Sequence, residues 1–366
     1  MKIGYLPGVK SWYNNNIFID IDNFDNRKDP FLELKQKLSR EDILIKTLDN
    51  TFESFDYLII HRIDINLGLL FNYLLHNPNT KLIYVVTEEP AIVSFHKPNL
   101  IKYFKFDFVL IYETNEISNF YQFQYPNPKL VYNCVNNFKL RQLLCAIVRL
   151  KRSNPFHKNS LYKTRNRYIK NLLKFDQFHL YGAGWYFKES NYFGEIKSKS
   201  EVLSKYRFSL VIENSITKNF LTEKILDCMV HGTVPVYYGC ENVSHYIPQN
   251  CFIKLDIFLD SSEQLVEYLE NISESQWNEI NHNIKIFLNS KMYADLTSEG
   301  FIDIIFTIIK TNIKGISKSP NSLWFRSLYV LLISPVHLLT KSGLKMLLDI
   351  VLFPFNKLIY VFKYSN

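Results

Sequence analysis

Cysteine is scarce: Cys134, Cys145, Cys228, Cys240 and Cys251 are all that 366 residues contain, and the count is odd. No two form a C-x-x-C pair and no histidine stands at zinc-ligand spacing, so neither a disulfide framework nor a structural zinc site is indicated, and a reducing compartment is the simplest home. The opening stretch MKIGYLPGVKSWYNNN lacks an apolar run of signal-peptide or anchor length, which predicts a protein without an export signal. The D-x-D pattern occurs once, as Asp20-Ile21-Asp22, and internal repeats are missing. A polar basic face studded with aromatics is also lacking; the excess positive charge lies in an apolar tail, which argues against nucleic acid as a partner.

What is present is ordinary globular material, with 47% hydrophobic and 21% charged residues and enough length for two cores. Lys2 to Leu6, Ile43 to Leu48, Tyr57 to Ile63, Leu82 to Val86 and Phe108 to Tyr112 have strand character, with helical stretches near Phe31 to Leu38 and Leu67 to Leu75. Such alternation predicts a parallel sheet flanked by helices. The region Arg149 to Lys158, with Lys151, Arg152 and Pro155, marks a domain boundary, and a second α/β unit follows to about Ile309. The expected domains are 1–150, 151–315 and a tail, 316–366.

The stretch Tyr206 to Gly239 carries most of the information. Phe208 to Ile212 and Thr233 to Tyr238 are apolar runs of strand length. Between them Ile225, Leu226, Met229 and Val230 recur at helical spacing, and Gly232 followed by Pro235 supplies a stop. The unit reads as β-α-β. In such a unit the carboxyl end of the strand and the amino end of the helix converge on a crevice where parallel sheets hold ligands. Glu213, Asn214, Ser215, Thr222, Glu223 and Lys224 fall at that edge. Unpaired first-turn amides and the helix dipole favour an anion there. Cys228, on the same helix, reads as a small core residue.

These blocks resemble the donor-binding signature of the α-1,3/1,4-fucosyltransferases, glycosyltransferase family 10, bacterial type. They are Tyr206-Arg207-Phe208 with Glu213-Asn214-Ser215, then Phe220-Leu221-Thr222-Glu223-Lys224, then Gly232-Thr233-Val234-Pro235 through Gly239. Leu161 to Arg165, Phe178 to Trp185 and Tyr246 to Ile253 extend the likeness, which covers about residues 155 to 310. It implies an α/β, GT-B arrangement of two Rossmann-like domains facing a cleft, with an acceptor domain first and a nucleotide-sugar domain second. Phe220 stands where the family usually has Tyr, and Asn219 where an acidic residue or Gly is common, which bears on the choice of sugar.

The resemblance implies an inverting transferase that moves L-fucose from GDP-fucose to a glycan hydroxyl, with no metal required. Departure of a diphosphate needs positive charge, and the acceptor hydroxyl needs a base. The matched positions give Arg165 and Lys224 the first task, with Arg167 as the alternative to Arg165. Glu223 would hold the ribose hydroxyls, and Glu213 and Asn214 would order the site. Thr87-Glu88-Glu89-Pro90 follows the apolar strand Leu82 to Val86, and Glu88-Glu89-Pro90 fits the family's E-x-P, so Glu88 is the expected base and Glu89 the alternative. Other readings are the same fold with another GDP-sugar, and a catalytically silent glycan-binding protein.

From Ser317 onward six basic residues face Asp349 alone, which places +5 of the chain's +8 in the tail. Its apolar runs are interrupted by Lys, Arg, Pro335 and Pro354 before reaching spanning length. Basic residues, aromatics and a broad apolar face predict an amphipathic segment lying on an anionic membrane. The expected location is therefore the cytoplasmic side of the cell membrane, peripherally attached, with a surface polysaccharide or lipopolysaccharide precursor as acceptor.

Overall fold

A computed structural model describes residues 1–62, 67–89, 93, 96, 101, 106–113, 119–132, 137–150, 159–185 and 190–311. Pro90, Cys134, residues 151–158 of the expected boundary and the expected tail at 316–366 lie outside them.

The described residues divide into two units, one drawn from 1–22, 31–123 and 303–311, the other from 23–30 and 124–302. In the first, β1 (Lys2–Leu6), β2 (Leu44–Thr47), β3 (Tyr57–Ile60), β4 (Lys81–Val85), β5 (Phe108–Ile111) and β6 (Phe120–Gln122) form one sheet in the order β2-β1-β3-β4-β5-β6. All five pairings are parallel. Residues on both faces of β3, β4 and β5 are buried, the mark of a parallel sheet covered on two sides. Helices α1 (Asp29–Arg40) and α2 (Leu67–His76) lie between strands, as the apolar spacing predicts. Because β1 has β2 on one side and β3 on the other, the strand order reverses there, and the carboxyl ends of β1 and β3 flank a switch point.

The second sheet is built from β7 (Gln142–Ile147), β8 (Phe178–Tyr181), β9 (Tyr206–Thr217), β10 (Val234–Cys240) and β11 (Ile253–Lys254), in the order β11-β10-β9-β7-β8. It too is wholly parallel. Helices α3 (Tyr162–Leu172), α4 (Lys199–Leu203) and α5 (Glu223–Val230) connect its strands, and α6 (Ser262–Glu270), α7 (Glu274–Leu288), α8 (Lys291–Asp295) and α9 (Ser298–Thr311) follow. Among the described residues, no helix is long and apolar enough to cross a membrane.

The two parallel sheets match the α/β class expected from alternation. Two features differ from the sequence reading. The second sheet takes up the chain at Gln142, upstream of the Arg149 to Lys158 region, because the apolar run Leu143–Ala146 is buried between β9 and β8. The strand expected over Phe208 to Ile212 runs on to Thr217, for a reason that shapes the site.

Candidate active site

Strand β9 pairs with β10 in regular register through Ile212 and Tyr238, and the next pair is Thr217 with Cys240. Glu213 to Ile216 therefore bulge away from β10. Their backbone groups turn instead to the segment before α3: Leu161 N donates to Asn214 O at 2.9 Å and Ile216 N to Asn159 O at 2.9 Å. This swings the first turn of α3 against the carboxyl end of β9. Arg165, in that turn, is buried and donates from a terminal guanidinium nitrogen to Asn214 Oδ1 at 3.3 Å. Arg167, two residues on and so on another face of the helix, is exposed.

Glu213 is 1% exposed. Its Oε2 accepts from Lys224 Nζ at 2.6 Å and its Oε1 from Thr222 Oγ1 at 2.7 Å, while Lys224 Nζ also reaches Thr222 Oγ1 at 3.0 Å. Thr222 occupies the N-cap of α5, but its hydroxyl goes to Glu213 rather than to the helix amides, which leaves that end without a side-chain cap. Burial alone would lower the Lys224 ammonium; Glu213 and then Glu223 outweigh it and hold the group above the ordinary lysine range. Burial also lowers Arg165, with Tyr162 and Glu213 opposing. Among the described residues, Arg165 Nε is buried without an acceptor.

Arg165 and Lys224 line one cavity of about 480 Å³, counting its open mouth. Ile147 and Val148 at the end of β7 and Ser209 to Ile212 within β9 also line it, so it lies beside the two strands between which the order of the second sheet reverses. Two cations on one cavity wall, close to a helix amino end and over an apolar floor, offer the chemistry that an anionic group requires.

Lys199, which opens α4, also lines this cavity and was not singled out from the sequence. Its Nζ lies 2.7 Å from Asp227 Oδ2, 3.8 Å from Glu223 and 3.9 Å from Asp25. Burial opposes its charge, but Asp227 and then Glu223 raise it above its ordinary value. Glu223 and Asp227 are four apart on α5; like charges at that spacing call for a cation between them, and this was the available signal. Despite desolvation, Lys224 and then Lys199 hold Glu223 below the usual carboxylate range.

Phe220 is buried, and the turn before it is rigidly held. Asn219 adopts φ 62°, in the left-handed region. Its side chain accepts from Asn242 at 2.6 Å and Tyr246 at 3.0 Å, and Gln124 bridges its carbonyl at 2.7 Å to Leu221 N at 3.3 Å. At the exit of α5, Arg141 donates to the carbonyls of Tyr206, His231 and Gly232 at 2.8, 3.0 and 3.2 Å, which secures the helix from its other end.

In the first unit Thr87, Glu88 and Glu89 follow β4 at its carboxyl end. Glu88 is half-buried and Glu89 buried, 2% exposed. The charge of Glu89, with Glu113, adds to burial in raising the Tyr112 phenol. Among the described residues, no group of three His, Cys, Asp or Glu side chains is placed to hold a metal ion.

Residues 148–282 match the family described as "Glycosyltransferase family 10 (fucosyltransferase) C-term". Over this segment the chain is similar to the family 10 glycosyltransferases. Mouse 4-galactosyl-N-acetylglucosaminide 3-alpha-L-fucosyltransferase 9 is 32% identical over 139 residues, 37% of this chain and 34% of the mouse protein. Zebrafish GDP-fucose protein O-fucosyltransferase 3 is 24% identical over 143 residues, 34% of this chain and 31% of that one. The chain thus spans about a third of the length of the curated relatives it matches. An alpha1,3-fucosyltransferase crystal structure superposes with a TM-score of 0.54 at 16% identity, covering 86% of this chain and 91% of that one. Anabaena HepE in complex with UDP and glucose gives 0.55 at 10% identity, covering 85% and 100%. Both likenesses concern the fold, and the matched segment contains Arg165, Lys199, Glu213, Asn214, Phe220, Thr222, Glu223 and Lys224.

Proposed function

We propose that this protein transfers L-fucose from GDP-fucose to a glycan hydroxyl. The observation that carries the reading is the shared cavity of Arg165 and Lys224 inside the segment that matches family 10. It is supported by the relatives' names, which specify fucosyl transfer, and by a fold neighbour solved with GDP-fucose. The mouse and zebrafish names agree on the sugar and differ in acceptor.

The chemistry follows from charge. The bond between the anomeric carbon and the diphosphate oxygen breaks, GDP departs, and an acceptor oxygen bonds the opposite face of the sugar, giving inversion. The acceptor's proton goes to a carboxylate, assigned to Glu88 or Glu89. Arg165 grips the leaving diphosphate through parallel hydrogen bonds and Lys224 adds a point charge. Glu223 takes the ribose hydroxyls, Thr222 and Glu213 hold Lys224 in place, and Asn214 orients Arg165. An α-1,3 or α-1,4 product on a surface polysaccharide or lipopolysaccharide precursor, made at the cytoplasmic face of a membrane bound by the basic tail, completes the proposal.

The test is release of GDP from GDP-fucose by purified protein given an N-acetyllactosamine-type acceptor; turnover of another nucleotide sugar with none of GDP-fucose would overturn the donor assignment. Phe220 supports a second reading, the same site serving a different GDP-sugar. Phe220→Tyr is then expected to change the ranking of GDP-sugars by at least about tenfold in kcat/KM, the worth of one hydrogen bond in a closed site. An unchanged ranking would dismiss that reading.

A further inference from the structure

A buried histidine stands beside the candidate base with no part in the reaction as so far described. His61 follows β3, whose carboxyl end flanks the switch point of the first sheet. Tyr5, Trp12 and Phe31 surround its ring, with centroids 6.2, 5.8 and 6.1 Å away. Gly8 admits this close approach, since a Cβ there would meet His61 Cδ2 at 2.8 Å and Arg62 Cγ at 2.6 Å. A phenylalanine would fill such a box at less cost, because an imidazole buried here must have its polar atoms satisfied. Both nitrogens are satisfied: Nδ1 is 2.7 Å from the Tyr5 hydroxyl and Nε2 is 3.3 Å from Thr87 Oγ1. Burial first, then the charges of Arg62 and His96, pulls the ring down to about 3, so it is neutral at working pH.

Thr87 is the residue before Glu88. Two further bonds hold the same turn, from His96 Nδ1 to the carbonyl of Glu88 and from Val93 N to the carbonyl of Glu89 at 2.8 Å. The backbone carrying both carboxylates is therefore gripped on one side through Thr87 and on the other through Glu88 O. A base must stand within hydrogen-bond reach of the hydroxyl it deprotonates, and a shift of about 1 Å can cost ~100-fold in rate.

We propose that His61 is a positioning residue for the acceptor-side base: fixed by Tyr5, its neutral ring holds the Thr87 hydroxyl and thereby sets where the Glu88–Glu89 carboxylates stand. The inference rests on the reading of that pair as the base. It gives a purpose to a polar group buried among aromatics, and it places the positioning chain at the switch point of the sheet.

Thr87→Val preserves shape and removes the hydroxyl. It is expected to lower kcat about tenfold, with the KM for GDP-fucose within about twofold of the parent, and Thr87→Ser is expected to restore kcat. A second readout needs no turnover: the carboxyl titrations of Glu88 and Glu89, followed by carbon NMR in selectively labelled protein, should move by at least about half a pH unit in Thr87→Val and His61→Phe but not in Thr87→Ser. Unchanged kcat together with unmoved titrations in Thr87→Val would overturn the proposal. So would a kcat loss that Thr87→Ser fails to restore, since that is the mark of packing alone. Glu88→Gln and Glu89→Gln separate the two levels: if both keep full turnover the base reading falls, whereas if one abolishes turnover and Thr87→Val behaves as the parent, only the positioning role falls.

Discussion

Lys224→Met is expected to weaken GDP binding by about 10–100-fold, the worth of one charge-assisted contact of about 1.5–3 kcal/mol to the diphosphate. Titration calorimetry with GDP reads this directly. The same change also destabilises the fold, because Glu213, at 1% exposure, loses the ammonium 2.6 Å away. Stranding one member of a buried pair costs about 3–5 kcal/mol; the 25% exposure of the Lys224 side chain discounts this to about 2–4. Glu213→Gln added to Lys224→Met should recover more than half of the lost thermal stability without restoring affinity, which separates the structural role of the pair from its ligand role. The pH dependence has a definite sign. The folded-state value of Lys224 is raised, so the pair's contribution is fully present below the ordinary lysine value and fades only as pH climbs through the raised one. Stability near neutrality should therefore be insensitive to this group. A Lys224→Met protein that binds GDP as tightly as the parent would remove Lys224 from the donor site, and with it the central support for the proposed function.

Much of this site is legible in the sequence because the chemistry is packed into one β-α-β unit. Glu213, Thr222 and Lys224 are close in the chain, the unit's two strand runs are apolar, and Gly232, with φ 65°, ends the helix where the stop signal stands. Arg165 is distant in sequence, and its place follows from the resemblance; the structure supplies the physical cause, the bulge that sends Asn214 to bond with Leu161. The Lys199 cluster is less visible. In K-S-K-S that lysine reads as solvated surface, and its partners at positions 25, 223 and 227 meet only in the folded chain. Strand β7 is also obscure, since Leu143 to Val148 is a short apolar run beside charged residues, and such runs do not distinguish strand from buried helix. His61 is harder still. Nothing in Ile59-Ile60-His61-Arg62 hints that the ring will be enclosed by aromatics from positions 5, 12 and 31.

Gly239→Ala should damage the candidate site through a single added methyl. Gly239 lies where β10 meets the bulge of β9, between the Tyr238–Ile212 and Cys240–Thr217 pairs. A Cβ there would stand 2.5 Å from Glu213 Cβ and closer still to Glu213 Cγ, against the ~3.5–4.0 Å at which carbon atoms rest. These are the inner atoms of a buried side chain, so they cannot swing aside as a flexible tip would. Tyr237 OH, 3.2 Å from the added methyl, closes another side, and it is itself fixed by a 3.0 Å bond from Cys240 N. The Glu213 carboxylate must then move, and both of its bonds, to Thr222 and Lys224, move with it. Overpacking of this kind costs about 1–3 kcal/mol, which calorimetric unfolding would register as a lowered Tm. The effect on ligand should be larger than the effect on fold, because Lys224 loses its anchor: GDP affinity is expected to fall at least about tenfold. A Gly239→Ala protein with lowered Tm and undiminished affinity for GDP would show that the Glu213 carboxylate takes no part in presenting Lys224 to the diphosphate.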